Sequence, residues 1–333
     1  LYPMRMSIYA FLELLLLAKI CFWVYEKRMP AKGEFAWTAL LAGIVTAWRS
    51  ESIYYLLLFP VLLVVFFWKQ VSKKVLRKAI LWYLLCALFL VGFQKIGEGG
   101  IGGSDGYEIT AMIRPLTPLL VDAAYAEEKD LIAACDKVLN CAYMFQGASE
   151  GENGIGIFWR WAGEGLVRDT YNREEYRAFK QAYYELILRH PKTFLRERLD
   201  TYFLSTELLG RITDGEPPMP TLNQNLRYYV YALLECRSFE DFYTQRKVGV
   251  IVYSTIPPSL VLAAAVLWFL MKKKWVYAGC GALVALKVPL VFLTAPGTLF
   301  MYYYSPYLCG WILLFFVGIL WIRKRNGSRE AAK

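Results

Sequence analysis

Arg49 and Glu51 stand one serine apart in Arg49-Ser50-Glu51-Ser52, between two apolar runs, 35–48 and 53–68. A planar guanidinium presents paired N–H donors that match two oxygens of a phosphate. The neighbouring carboxylate can hold that guanidinium in place or accept a proton. The flanking runs hold 14 and 16 residues. As helices they reach roughly 21 and 24 Å, short of a hydrocarbon core about 30 Å thick. The turn is therefore expected to sink into the outer leaflet of a membrane or a cavity. Charge at that depth is costly and usually functional, and a lipid head-group phosphate suits Arg49 there. The plainer alternative is an Arg–Glu pair that closes a hairpin.

Other candidates are fewer. Lys287 lies inside an apolar run, followed by Pro289. It can reach an external cavity and help bind an anion, or snorkel to the surface. Glu13 and Lys19 also fall within an apolar run, but six residues apart they do not share a helix face. Tyr302 and Tyr303, in Met301-Tyr302-Tyr303-Tyr304-Ser305-Pro306, read as an interfacial tyrosine belt or as rings that stack on sugar and bond phosphate. His190, the only histidine, sits beside Pro191 between two periodic segments and is expected to cap or pack. Cys135 and Cys141 are spaced for a disulfide only if a turn joins them, and the cysteine spacing does not suit a zinc site.

These residues need a frame to hold them, and composition describes it. Of 333 residues 57% are apolar or aromatic and 20% charged, below the roughly 25% of soluble domains. Seven apolar runs are expected to cross a membrane: 7–25, 35–48, 53–68, 79–93, 248–271, 275–293 and 303–322. The expected architecture is all-α: a polytopic membrane protein with seven transmembrane helices and one large, mainly helical external domain. The regions are 1–93 with four spans, 94–247 outside, and 248–333 with three spans and a basic tail. Segments 26–34, 69–78, 272–274 and 323–333 carry 16 Lys/Arg, against 2 in the opposite short segments. The basic side is assigned to the cytoplasm, with the C-terminus, and 94–247 to the extracytoplasmic side. That external segment has 18 Lys/Arg and 23 Asp/Glu. The net charge of +10 is thus a topology signal, and nucleic acid is not an expected partner. A soluble enzyme and a disulfide-stapled secreted mini-domain are excluded.

Within 94–247 the glycines of 97–103 are expected to form a flexible exit from the membrane; no Gly-Lys-Ser/Thr follows to make a P-loop. Glu174–Leu188 and Thr193–Leu209 show helical periodicity broken at His190-Pro191, and Leu226–Leu234 suggests another helix.

The run from Ala42 to Ile53, a small-residue helix followed by Arg49, Ser50 and Glu51, resembles the hairpin of polytopic GT-C glycosyltransferases, among them protein mannosyltransferase and aminoarabinose transferase relatives. Met301–Pro306 is similar to the Arg-Tyr-x-x-Pro element that opens a late helix in those enzymes, with Met301 where they carry arginine. The stretch from Tyr184 to Leu204 resembles external segments of bacterial members. The resemblance implies a cell-envelope transferase. It would take a sugar from a polyprenyl-phosphate donor to a glycan or protein acceptor on the outer face, within membrane lipid. Arg49, Glu51, Lys287, Tyr302 and Tyr303 would bind substrate. The family's catalytic acid lies in a first external loop that would precede Leu1, and the chain reads as lacking its N-terminal part. Some relatives use a divalent metal with Asp-x-Asp; Asp214-Gly215-Glu216 has that spacing beside a proline-rich loop and is not taken as a metal site. The alternatives are an O-antigen polymerase or ligase, using His190 with Arg189, Arg196 and Arg198, and a non-enzymatic transporter or assembly protein.

Overall fold

A computed structural model describes residues 2–67, 71–100, 104–152, 154–205, 254–295 and 300–330. Among them no strand forms; one isolated bridge joins Leu139 and Val167. The chain divides into two compact units.

The first unit opens with α1 (Tyr2–Tyr25), α2 (Lys32–Trp48), a 3-10 turn at Ser50–Tyr54, α3 (Tyr55–Phe67) and α4 (Lys73–Gly100). Its later part holds α11 (Ile256–Met271), α12 (Trp275–Ala285), the start of α13 (Lys287–Thr294), a second 3-10 turn at Phe300–Tyr303 and α14 (Tyr304–Glu330). Leu16, Ile20 and Trp23 recur at three- and four-residue spacing and bury one face of α1 against Ala42, Val45, Phe59, Leu63 and Phe66. Small residues let backbones approach. A Cβ built on Gly43 would lie 3.2 Å from Leu90 Cδ1, where α2 meets α4, and one on Gly310 only 2.0 Å from the Pro258 carbonyl oxygen, where α14 meets α11. Large apolar side chains also face outward, among them Phe11, Phe22, Leu57, Phe89, Phe93 and Phe315. Large apolar side chains turned outward in this number fit a lipid surface.

Among the described residues three stretches are long and apolar enough to cross a membrane: Ser7–Tyr25, Lys73–Ile96 and Trp275–Thr294. That is fewer than the seven expected. The helices α2, α3 and α11 run for 17, 13 and 16 residues, and the apolar part of α14 is the shorter stretch Tyr304–Ile319. The third long stretch is interrupted at Leu286, between α12 and α13. Pro289 has no N–H to give the Ala285 carbonyl and its ring crowds that turn, which accounts for the interruption.

The second unit comprises α5 (Ser104–Tyr125), α6 (Lys129–Asp136), α7 (Cys141–Ser149), α8 (Gly154–Trp161), α9 (Arg173–Arg189) and α10 (Pro191–Ser205), with residues 292–295. Ile109, Ile113, Leu116 and Leu120 form the buried stripe of α5, on which Val138, Leu139, Met144, Phe179 and Leu186 close. Asn172 caps α9 by accepting from the backbone of Glu174 and Glu175, and Glu175 returns the bond to Asn172. His190 ends that helix and Pro191, whose fixed φ suits a first helical turn, begins the next.

The glycine run departs from expectation. Gly97, Gly99 and Gly100 continue α4 as helix. Once a long apolar helix is nucleated, each added residue gains a hydrogen bond that offsets the entropy cost of glycine. Residues 101–103, and the helix expected at 226–234, lie outside the described residues.

Candidate functional site

The helix ends of the first unit enclose a buried polar network. Tyr9 and Glu13 are one turn apart on α1, and so share a face. Ser52 comes from the first 3-10 turn, Tyr55 from the start of α3, Lys287 from the first residue of α13 and Ser305 from the first turn of α14. The interruption before Lys287 makes it the head of a short helix rather than the middle of a long one. Glu13 and Ser52 are fully buried, Lys287 is 3% exposed and Ser305 likewise.

Lys287 Nζ donates to Glu13 Oε2 at 2.6 Å, to the Tyr9 hydroxyl at 2.7 Å and to Ser305 Oγ at 3.3 Å. Its ammonium also lies 4.0 Å from the centre of the Tyr9 ring. Glu13 Oε1 accepts from the hydroxyls of Tyr55 at 2.8 Å and Tyr9 at 3.1 Å. With the Tyr9 proton directed at Glu13, Ser52 is the donor in the 2.7 Å contact between Ser52 and Tyr9. A further layer braces these groups. The Tyr83 hydroxyl donates to the Tyr55 carbonyl at 2.8 Å and lies 3.0 Å from Thr46 Oγ1, while Tyr54 donates to the Leu283 carbonyl at 2.6 Å. An isolated charge here would be prohibitive; paired and multiply hydrogen-bonded, the two charges are tolerated.

Arg49 occupies the position between α2 and the first 3-10 turn, in extended backbone with φ −140° and ψ 141°. It is 8% exposed, and its guanidinium carbon lies 5.2 Å from the centre of the Tyr302 ring. Tyr302 is 4% exposed and Tyr303 fully buried, so both rings belong to the interior rather than to an outward-facing belt. The side chain of Glu51 lies outside the described residues. Of the residues singled out from sequence, Arg49 and Tyr302 are therefore brought together. Lys287 is engaged with Glu13, which the sequence did not single out as a partner. The signal available was the presence of two opposite charges in apolar runs. Lys19 turns instead toward Glu34, at 3.6 Å.

In the second unit His190 Nε2 lies 3.1 Å from Glu128 Oε2, and Arg189 also reaches Glu128, at 3.2 Å. Burial works against the Glu128 carboxylate, but the hydrogen bonds from His190 and Arg189 outweigh it and hold its pKa below the usual value. Cys135 and Cys141 are buried and unbridged. Burial pushes the Cys135 thiol up to about 12 and raises Cys141 as well. Asp214, Glu216 and Cys236 lie outside the described residues. Among the described residues no group of three or more His, Cys, Asp or Glu side chains could hold a metal ion.

Comparison with protein-family models, curated proteins and solved structures returns no match.

Proposed function

We propose that the chain is a membrane glycosyltransferase that moves a sugar from a polyprenyl-phosphate donor to an acceptor at the outer face of the cell membrane. The observation that carries the reading is Arg49, a buried guanidinium beside the Tyr302 ring at the end of a helix too short to span. The 17 residues of α2 and 13 of α3 reach about 26 and 20 Å, so a turn between them falls within the depth of a leaflet. A fork of N–H donors at that depth suits a lipid phosphate, and the tyrosine face steadies the cation.

The proposed topology has seven crossings, with 16 basic residues on the cytoplasmic side, the second unit outside and the C-terminus inside. In the reaction the bond between the anomeric carbon and phosphate oxygen breaks and a bond to the acceptor oxygen forms. The acceptor proton passes to a base not assigned to any described residue. Arg49 would offset charge that grows on the departing phosphate. Lys287 contributes to that phosphate only if its pair with Glu13 loosens, which makes Arg49 the residue to test first. His190, on which the polymerase or ligase alternative depends, is engaged with Glu128 at a helix junction.

The test is transfer from a radiolabelled polyprenyl-phosphate sugar in membranes that contain the complete protein. Arg49→Ala should abolish transfer at unchanged protein level, and Arg49→Lys should recover part of it, because a point charge lacks the fork. Normal turnover by both variants would end the proposal.

A further inference from the structure

We propose that α10 is an interfacial helix, its leucine face laid against the acyl chains of a membrane leaflet. The proposal rests on Trp275–Thr294 crossing a membrane and not on the transferase reading. It starts from a helix built inside out. On a water-facing surface a helix turns its apolar stripe inward and its polar residues outward. In α10 the order is reversed. Arg198, Thr201 and Ser205 are buried, at 0, 1 and 0% exposed, whereas Leu195 and Leu199 are 51% and 39% exposed.

The inward face can be polar because its groups bond one another and α5. Thr193 donates to Asp122. Glu197, one turn on, accepts from Arg114 at 2.6 Å, from Arg198 at 2.8 Å and from Thr201 at 2.6 Å. The Ser205 hydroxyl returns to the Thr201 carbonyl at 2.6 Å. Thr193, Glu197, Thr201 and Ser205 recur every fourth residue and so share one face. Leu195 and Leu199 each stand two residues from Glu197, about 160° around the helix from it. Single exposed leucines are ordinary on a protein in water. A leucine face set opposite a wholly polar interior is the pattern of a helix whose solvent is apolar.

Attachment says which solvent that is. One turn beyond Leu199, the Tyr202 ring packs edge-on at 6.0 Å from Phe292, and Arg198 Nη1 donates to the Ala295 carbonyl at 2.9 Å. Phe292 and Ala295 bracket the end of Trp275–Thr294, one of the stretches apolar enough to cross a membrane. Between them Leu293 is itself 51% exposed. The outward apolar surface of that stretch thus runs on to α10, at the depth where the stretch leaves the hydrocarbon. Lys192 and Arg196, one turn apart, are exposed beside the leucines. Their stems can lie on apolar surface while their charges reach lipid phosphates, as in interfacial helices.

The test places the photoreactive residue benzoylphenylalanine at Leu195 or Leu199 of the full chain. Membranes are irradiated and adducts are read by mass spectrometry. Phe89, exposed on Lys73–Ile96, is the lipid-facing reference, and Glu174, exposed at the start of α9, is the water-facing one. Positions 195 and 199 should form phospholipid adducts as position 89 does, and position 174 should form none. If one substituted chain fails to accumulate, the other position decides. Lipid adducts at 89 but not at 195 or 199, adducts there to protein instead of lipid, or equal lipid labelling at 174 would overturn the proposal. Absence of lipid from 89 as well would remove the membrane reading with it.

Discussion

Removing either half of the Glu13–Lys287 pair should cost more than removing both. At 2.6 Å and an effective dielectric near 20, the Coulomb attraction alone is about 6 kcal/mol. Desolvation consumes part of it, and breaking a buried pair by removing one partner costs about 3–5 kcal/mol. Glu13→Gln keeps a group that can bond Tyr9 and Tyr55 but leaves a buried ammonium facing no charge, so its loss should lie in that range. Lys287→Met leaves Glu13 with two tyrosine donors, at 2.8 and 3.1 Å. Hydrogen bonds to a charged group contribute about 1.5–3 kcal/mol each, which places this loss at the lower end. The double variant removes both charges and should be more stable than either single one by about 2 kcal/mol or more. Reversible unfolding in micelles, followed by circular dichroism, measures all four corners of the cycle. Additive losses, or a double variant worse than both singles, would refute the buried pair.

Gly310→Val should destabilise by about 1–3 kcal/mol through overpacking, because its Cβ would meet the Pro258 carbonyl, whereas Gly318→Val, with nothing within 4 Å, should be neutral in the same unfolding assay. The depressed Glu128 carboxyl contributes stability that is fully present above its unfolded pKa, about 4.3, and is lost as pH falls through its lower folded value. Glu128→Gln should therefore lower Tm at neutral pH, with the difference from the parent closing below about pH 4. Cys135 and Cys141, buried with raised pKa, should react with iodoacetamide only on unfolding, as read by mass spectrometry. Cysteines placed at Ser104 and Gln224 should be labelled from outside intact cells, and those at Ser72 and Ser328 should not; labelling at Ser72 would reverse the proposed orientation.

Helix type and the α9–α10 junction were legible in the sequence because they depend on local signals. Apolar spacing along α9 and α10, and His190-Pro191, need no knowledge of distant contacts. Helix length was less legible: the apolar runs gave seven candidates, yet among the described residues three stretches have the length and hydropathy of a full crossing. The glycine run misled because composition near a helix end does not reveal that the preceding turns are already formed. The tyrosines of 302–303 carry an interfacial signature, but the packing that buries them involves α1 and the second 3-10 turn, far apart in sequence. The Glu13–Lys287 pair was beyond local reasoning altogether, since 274 residues separate its members. Arg49 was legible because charge between two short apolar runs is a local anomaly, although its Tyr302 partner was not.

The most direct test of the central claim is binding of polyprenyl phosphate to the chain in nanodiscs, parent against Arg49→Ala, read by native mass spectrometry across a lipid titration. Loss of hydrogen bonds from a charged donor predicts binding at least about tenfold weaker in Arg49→Ala, with Gly318→Val unchanged. Equal retention of polyprenyl phosphate by the parent and Arg49→Ala, or no binding by the parent, would contradict the account.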